Sequence, residues 1–282
     1  MATFTNQATL SYNGNTTNSN VTTGELVESL SATKTAISET YSAGGGVSYA
    51  VTVVNSSSAE TGELILTDNL GAYTLGTETI YPLTYTDGTL KFFINGILQP
   101  TPTVTAGPPL TVSGFSLPAG ASGIFVYETT ANSYAPLTQG STIINTVTFT
   151  GDGLAESVTA SAAVTAQAQT ALTIAKAICP DVITDNGELT YTFIIQNSGN
   201  APADTDANVA VTDVFNPALS NLTVTLNGAA FPATSYTYTE ATGEFATAPG
   251  SITIPAATYT QSPTGEIIVT PGVAVLKITG II

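Results

Sequence analysis

The sequence predicts an all-β chain of two domains, and three observations carry that prediction. Strand-length runs rich in Val, Ile, Thr and Tyr recur through the 282 residues, broken by Gly, Pro, Asn and Asp. No run shows a convincing helical period. The same order of runs also occurs twice, which marks an internal repeat. The expected organisation is an N-terminal strand and linker over residues 1–28, a complete domain over 29–152, a connecting segment over 153–170, and an incomplete second domain over 171–282.

Taken in chain order, Thr5-Asn6-Gln7-Ala8-Thr9-Leu10 alternates like a half-buried strand with an asparagine on its apolar face. The first copy of the repeat opens with Ser31-Ala32-Thr33-Lys34-Thr35-Ala36-Ile37. It continues through Tyr49-Ala50-Val51-Thr52-Val53-Val54-Asn55 and Leu66-Thr67-Asp68. The second opens with Leu172-Thr173-Ile174-Ala175-Lys176-Ala177-Ile178 and runs through Tyr191-Thr192-Phe193-Ile194-Ile195-Gln196-Asn197 and Val211-Thr212-Asp213. Phe93-Ile94-Asn95-Gly96 in the first copy answers Thr225-Leu226-Asn227-Gly228 in the second, and each Asn-Gly between apolar runs predicts a tight hairpin. Leu117-Pro118-Ala119-Gly120 followed by Gly123-Ile124-Phe125-Val126-Tyr127 corresponds to Thr270-Pro271-Gly272 followed by Val273-Ala274-Val275-Leu276-Lys277-Ile278.

The correspondence stops at one place. The first copy closes on Ile144-Asn145-Thr146-Val147-Thr148-Phe149, with Asn145 111 residues after Lys34. The matching asparagine of the second copy would fall near position 287, beyond Ile282, so the second domain is expected to lack its final strand. That strand is found at the other end of the chain. Phe4 matches Ile143, Asn6 matches Asn145, Ala8 matches Val147 and Leu10 matches Phe149, all at an offset of 139. A donor strand built on Phe4, Asn6, Ala8, Leu10 and Tyr12 is the expectation, with the second domain as acceptor groove.

Composition narrows the class. Twenty acidic residues against four lysines and no arginine give a formal charge of −16, which argues against nucleic acid and anionic membrane surfaces as partners. No apolar run reaches membrane-spanning length. Cys179 is the single cysteine, and a small core or strand-edge role is expected for it. With no histidine, no zinc pattern and no phosphate-binding loop, neither a metal nor a cofactor is expected, and turnover catalysis is not. Asp204-Thr205-Asp206-Ala207-Asn208 has Val209 where a calcium loop needs glycine, and reads as a solvated acidic loop. Met1-Ala2-Thr3-Phe4-Thr5-Asn6 has neither the basic nor the apolar part of a secretory leader, so either a leader has been removed or release follows lysis of a mother cell around a spore.

Two of the four lysines, Lys34 and Lys176, hold the same repeat position on an apolar alternating strand. A lysine buried there loses charge through desolvation, which makes its amine nucleophilic near neutral pH. An inward asparagine supplies a carboxamide carbon, and a protonated inward aspartate can hold the carboxamide oxygen and move protons. The expected sets are Lys34, Asp68 and Asn145 within one chain, and Lys176 and Asp213 with Asn6 of another. Each would form a Lys-Asn isopeptide bond once, with loss of ammonia. The ordinary alternative is an edge lysine that carries its ammonium to water and an asparagine that caps a bulge.

The ordered Lys, Tyr-x-x-x-x-x-Asn, Thr-Asp and closing Asn signatures resemble the prokaryotic surface repeat known as domain of unknown function eleven. The resemblance covers residues 29–282 as one full and one truncated copy, with 1–28 as the displaced end. It implies immunoglobulin-like β-sandwiches in cell-surface and appendage proteins, and no enzyme activity. Bacterial surface sandwiches with self-formed isopeptides are similar in using lysine, acid and asparagine in this order. In character the chain resembles the major subunits of clostridial spore appendages. The expected partner is therefore the chain itself, as a head-to-tail homopolymer on a spore or cell surface, with no membrane insertion. Stalk repeats of an adhesin or surface-layer protein are the alternative, and a glycan-binding module using some of the twelve tyrosines is a third.

Overall fold

The computed structural model describes residues 2–26, 30–151, 154, 156–184 and 187–282. Four strands precede the first copy: β1 (Ala2–Asn6), β2 (Thr9–Tyr12), β3 (Asn15–Asn18) and β4 (Thr22–Leu26). The first copy comprises β5 (Leu30–Ala36), β6 (Thr40–Tyr41), β7 (Gly46–Asn55), β8 (Leu64–Asp68), β9 (Tyr73–Leu75), β10 (Glu78–Ile80) and β11 (Leu83–Tyr85). It continues with β12 (Lys91–Ile94), β13 (Ile97–Leu98), β14 (Thr103–Thr105), β15 (Leu110–Phe115), β16 (Ser122–Ala131), β17 (Thr142–Gly151) and β18 (Val158–Ala166). The second copy holds β19 (Leu172–Cys179), β20 (Glu188–Asn197), β21 (Thr212–Val214), β22 (Ser220–Leu226), β23 (Ala229–Ala230), β24 (Tyr236–Thr239) and β25 (Glu244–Thr247). It ends with β26 (Thr258–Gln261), β27 (Ile267–Thr270) and β28 (Gly272–Ile281). The protein is all-β, as expected.

Alternation in the sequence becomes burial on one face. Along β7, Val47, Tyr49, Val51, Val53 and Asn55 are buried while the residues between them face outward. The first copy packs a sheet ordered β13-β12-β16-β7-β5 against one ordered β14-β15-β8-β17-β18-β6. Their facing side chains, among them Val51, Leu66, Phe125 and Phe149, form one core. In the second copy β19-β20-β28-β22-β23 faces β21-β25-β24 around a separate core that includes Phe193, Phe215, Phe245 and Leu276. Both expected Asn-Gly turns form. Asn95-Gly96 (φ 51° and 80°) joins β12 to β13, and Asn227-Gly228 (φ 52° and 81°) joins β22 to β23.

The two copies match strand for strand until the second sheet. β8 lies between β15 and β17, and β18 then extends that sheet and packs across β5. The corresponding β21 pairs with β25 and has no strand on its other side among the described residues. The gap is therefore wider than one strand, since places equivalent to both β17 and β18 are open. The consequence is visible on β19. Leu30 of β5 is 2% exposed, whereas Leu172 at its matching position is 39% exposed, and Ile174 and Ile178 are exposed beside it.

Residues 2–26, within the expected strand and linker, form a hairpin. Asn13-Gly14, at φ 47° and 79°, folds the chain back on itself, so β2 pairs with β3 and β1 with β4. Gly24 leaves room for the exposed Phe4 ring, which lies 2.3 Å from where a side chain at 24 would begin. The pairing runs from Asn6 opposite Thr22 to Thr9 opposite Asn18, so the extra residue sits on the second limb and the first limb keeps its alternation.

Candidate functional site

Lys34 points from β5 into the first core, where its side chain and that of Asp68, from the end of β8, are both 0% exposed. Nζ lies 2.7 Å from Asp68 Oδ2 and 4.5 Å from the centre of the Tyr49 ring. The Asp68 carboxylate is held by three further donors: the Leu70 N–H at 2.7 Å, the Tyr127 hydroxyl, and Asn145 Nδ2 at 3.3 Å. Asn145 is fully buried on β17, which pairs directly with β8 at Val147–Asp68. The structure thus brings Lys34, Asp68 and Asn145 together from positions 34, 68 and 145 of the chain.

One role differs from the expectation. The expected partner of the carboxamide oxygen is Asp68, but that oxygen accepts from the Gly71 N–H at 3.2 Å, and Asp68 faces the amide nitrogen instead. Gly71 can present its N–H there because its φ of +72° belongs to the left-handed region, and an added Cβ would meet Ile143 at 2.4 Å. Gly71, Tyr127 and the Leu70 N–H are members of the site that sequence reasoning missed. The glycine three residues after Asp68 was the available signal for a turn; Tyr127 reaches the site only through the pairing of β16 with β7, where it stands opposite Tyr49.

Burial lowers the Lys34 ammonium from its ordinary value to about 8, against the opposing pull of the Asp68 charge and hydrogen bond. Burial and then the neighbouring Asp68 charge hold the Tyr127 hydroxyl far above its ordinary range, so it stays a donor. About a tenth of Lys34 is then neutral at pH 7.

The repeated Tyr and Asn signatures acquire distinct tasks. Tyr49 and Tyr191 each place a ring beneath a lysine, at 4.5 Å from Lys34 and 4.4 Å from Lys176. Asn55 and Asn197 clamp loops: Asn55 Nδ2 donates to the carbonyls of Ala59, Leu117 and Pro118, and Asn197 Nδ2 to those of Ala201 and Pro255.

The second copy repeats the lysine and acid without their cover. Lys176 on β19 pairs with Asp213 on β21, but their side chains are 40% and 19% exposed. Ile278 stands opposite Tyr191, in the place Tyr127 holds opposite Tyr49, so no phenol reaches Asp213 from there. Asn6 stands on β1 opposite Thr22, exposed to solvent. The structure does not bring it to Lys176 within one chain. Phe4, Leu10 and Tyr12 are likewise exposed, at 57–61%, and so is Ala8.

No family model matches the chain, and no curated protein matches it, so the repeat resemblance rests on the motifs quoted for it. Solved structures similar to it include the RrgB pilus backbone of Streptococcus pneumoniae, 13% identical over 86% of this chain and 55% of that one, with a TM-score of 0.35. BcpA, the major pilin subunit of Bacillus cereus, is 12% identical over 87% of this chain and 66% of that one, at 0.36. The collagen-binding domain of a Staphylococcus aureus adhesin is 14% identical over 49% and 99%, at 0.30.

Proposed function

We propose that this chain is the structural subunit of an extracellular filament, assembled head to tail when the N-terminal strand of one copy enters the second core of the next. The observation that carries this is the side of β21 that no strand pairs among the described residues, with the half-covered Lys176–Asp213 pair beside it, set against an exposed segment that repeats the apolar pattern of β17. An open edge and an open core together form a template for strand addition. Burying Phe4, Leu10 and Tyr12 there is worth roughly 1.5–3 kcal/mol for each large side chain. A contact between different surfaces of successive copies does not close on itself and propagates. The surface repeat resemblance and the acidic, threonine-rich composition support a spore or cell-surface location.

Covalent locks follow from the same proposal. In the first core Lys34 passes a proton to Asp68, and the neutral amine attacks Asn145 Cγ. The Gly71 N–H meets the charge that develops on Oδ1. Asp68, beside both nitrogens, gives its proton to Nδ2 and takes the extra one from the attacking nitrogen, so that ammonia leaves as the Lys34–Asn145 amide forms. Lys176, Asp213 and the incoming Asn6 perform the same exchange between copies. Each bond forms once, so no turnover is involved.

A boiled denaturing gel of the full-length protein, with intact mass on the monomer band, tests both parts. A ladder that survives boiling, over a monomer one ammonia lighter than its sequence, is the expected result. Monomer of unaltered mass removes the bonds, and absence of fibres by electron microscopy removes the filament.

A further inference from the structure

We infer that the element passed to the neighbouring copy is the whole hairpin of residues 2–26, with β1 and β2 extending the sheet at β21 and β3 and β4 covering β19. The inference rests on the strand-donation reading and specifies what is donated and where the second limb lands.

Two congruences carry it. The first is pairwise. In the first copy β17 and β18 are partners through Ile143–Val164, Asn145–Ala162, Val147–Ala160 and Phe149–Val158. The hairpin presents Phe4–Gly24, Asn6–Thr22 and Leu10–Thr17 in the same order. Between them Ser19 donates its N–H to the Ala8 carbonyl at 2.8 Å, and Ala8 donates to Ser19 Oγ at 2.9 Å. The hairpin is thus a preformed copy of β17–β18, carried at the other end of the chain.

The second congruence lies on the acceptor. β18 is the strand that packs across β5, on which Leu30 and Lys34 are buried. On β19 the matching inward residues are Leu172, Ile174, Lys176 and Ile178, all exposed. A single donated strand at β21 would fill the place of β17 and leave this apolar row in water. Side-chain size is redistributed to suit a second limb. β5 carries Ala32 and Ala36 where β19 carries the larger Ile174 and Ile178, and β18 carries Val158 and Val164 where the hairpin, by the same pairing, carries the smaller Thr17 and Gly24, with Thr22 in the place of Ala162. Packing at constant total volume is what a core requires. An isolated two-stranded hairpin is marginal in water, so docking also gives this one the partner surface it lacks.

The test uses the full chain with a photo-reactive benzoylphenylalanine at Thr22, irradiated after assembly and digested for cross-linked peptides. Adducts on residues 172–179 of the neighbour are expected. If the Asn6–Lys176 linked peptide is recovered while Thr22 captures nothing from 172–179, the hairpin inference is overturned and donation of the first strand stands. If the chain remains monomeric under all conditions, both fall. Ile174→Glu in the full chain guards against a bulky probe that blocks docking. Because Ile174 is exposed in the monomer, its melting temperature should be unmoved while the concentration needed for assembly rises about tenfold or more. An unmoved assembly threshold overturns the inference.

Discussion

An Asn145→Ala chain cannot form the bond proposed between Lys34 and Asn145, and the structure sets the size of the effect. That bond would close a loop of 111 residues. By the loop-entropy relation used for disulfides, a cross-link of this span stabilises the first core by about 5 kcal/mol. The substitution also leaves the Gly71 N–H and Asp68 each without one partner inside the core, at about 1–3 kcal/mol. For a core of roughly 130 residues the cross-link alone is then worth about 15–20 °C in melting temperature. The assay is scanning calorimetry of wild type and variant, with intact mass on both. The first-core transition should drop by at least that amount, the second-core transition should stay in place, and the variant should retain the full mass of its sequence. A wild-type chain that also has its full sequence mass, with its first transition within about 10 °C of the variant, would refute the reasoning.

Four further outcomes are expected. Asn6→Ala should leave assembly intact but make it dissociable by boiling in detergent, because strand addition survives and the carboxamide does not; filaments that resist boiling would exclude this intermolecular bond. With the Lys34 ammonium lowered to about 8, the pair keeps the one proton that Asp68 must return only below that pH, so the rate of ammonia loss on refolding, followed by mass spectrometry, should be level below about pH 7 and fall about fivefold from pH 8 to pH 9; a rate that rises across that range would contradict proton return by Asp68. The same shift has a stability consequence in the unbonded Asn145→Ala chain if its Lys34 keeps that lowered value: between pH 8 and pH 10 the unfolded lysine holds a proton that the folded one has released, so denaturant midpoints should rise with pH across that window. Gly71→Ala forces a side chain into a φ of +72° and against Ile143, so it should slow bond formation and destabilise the first core by about 1–3 kcal/mol, measured by refolding mass kinetics and urea titration.

The strands, the repeat and the lysine, acid and asparagine set were legible because each depends on local order. Alternation along Val47–Asn55 places one face in the core, and Asn95-Gly96 and Asn227-Gly228 select their turns from two residues. Asn13-Gly14 belonged to the same class of signal; read that way, it would have turned the expected linker into a second hairpin limb. What the sequence by itself determined is therefore the main strands of the repeat, their inward residues and the displacement of the Asn6 pattern to the N-terminus. Only the tertiary structure decided that Gly71 rather than Asp68 meets the Asn145 oxygen, that Tyr127 reaches Asp68, and that β19 lies uncovered where β5 is buried. Those facts depend on which strands become sheet neighbours. Pairing across a hundred or more residues is fixed by how whole faces pack, and no local period encodes it.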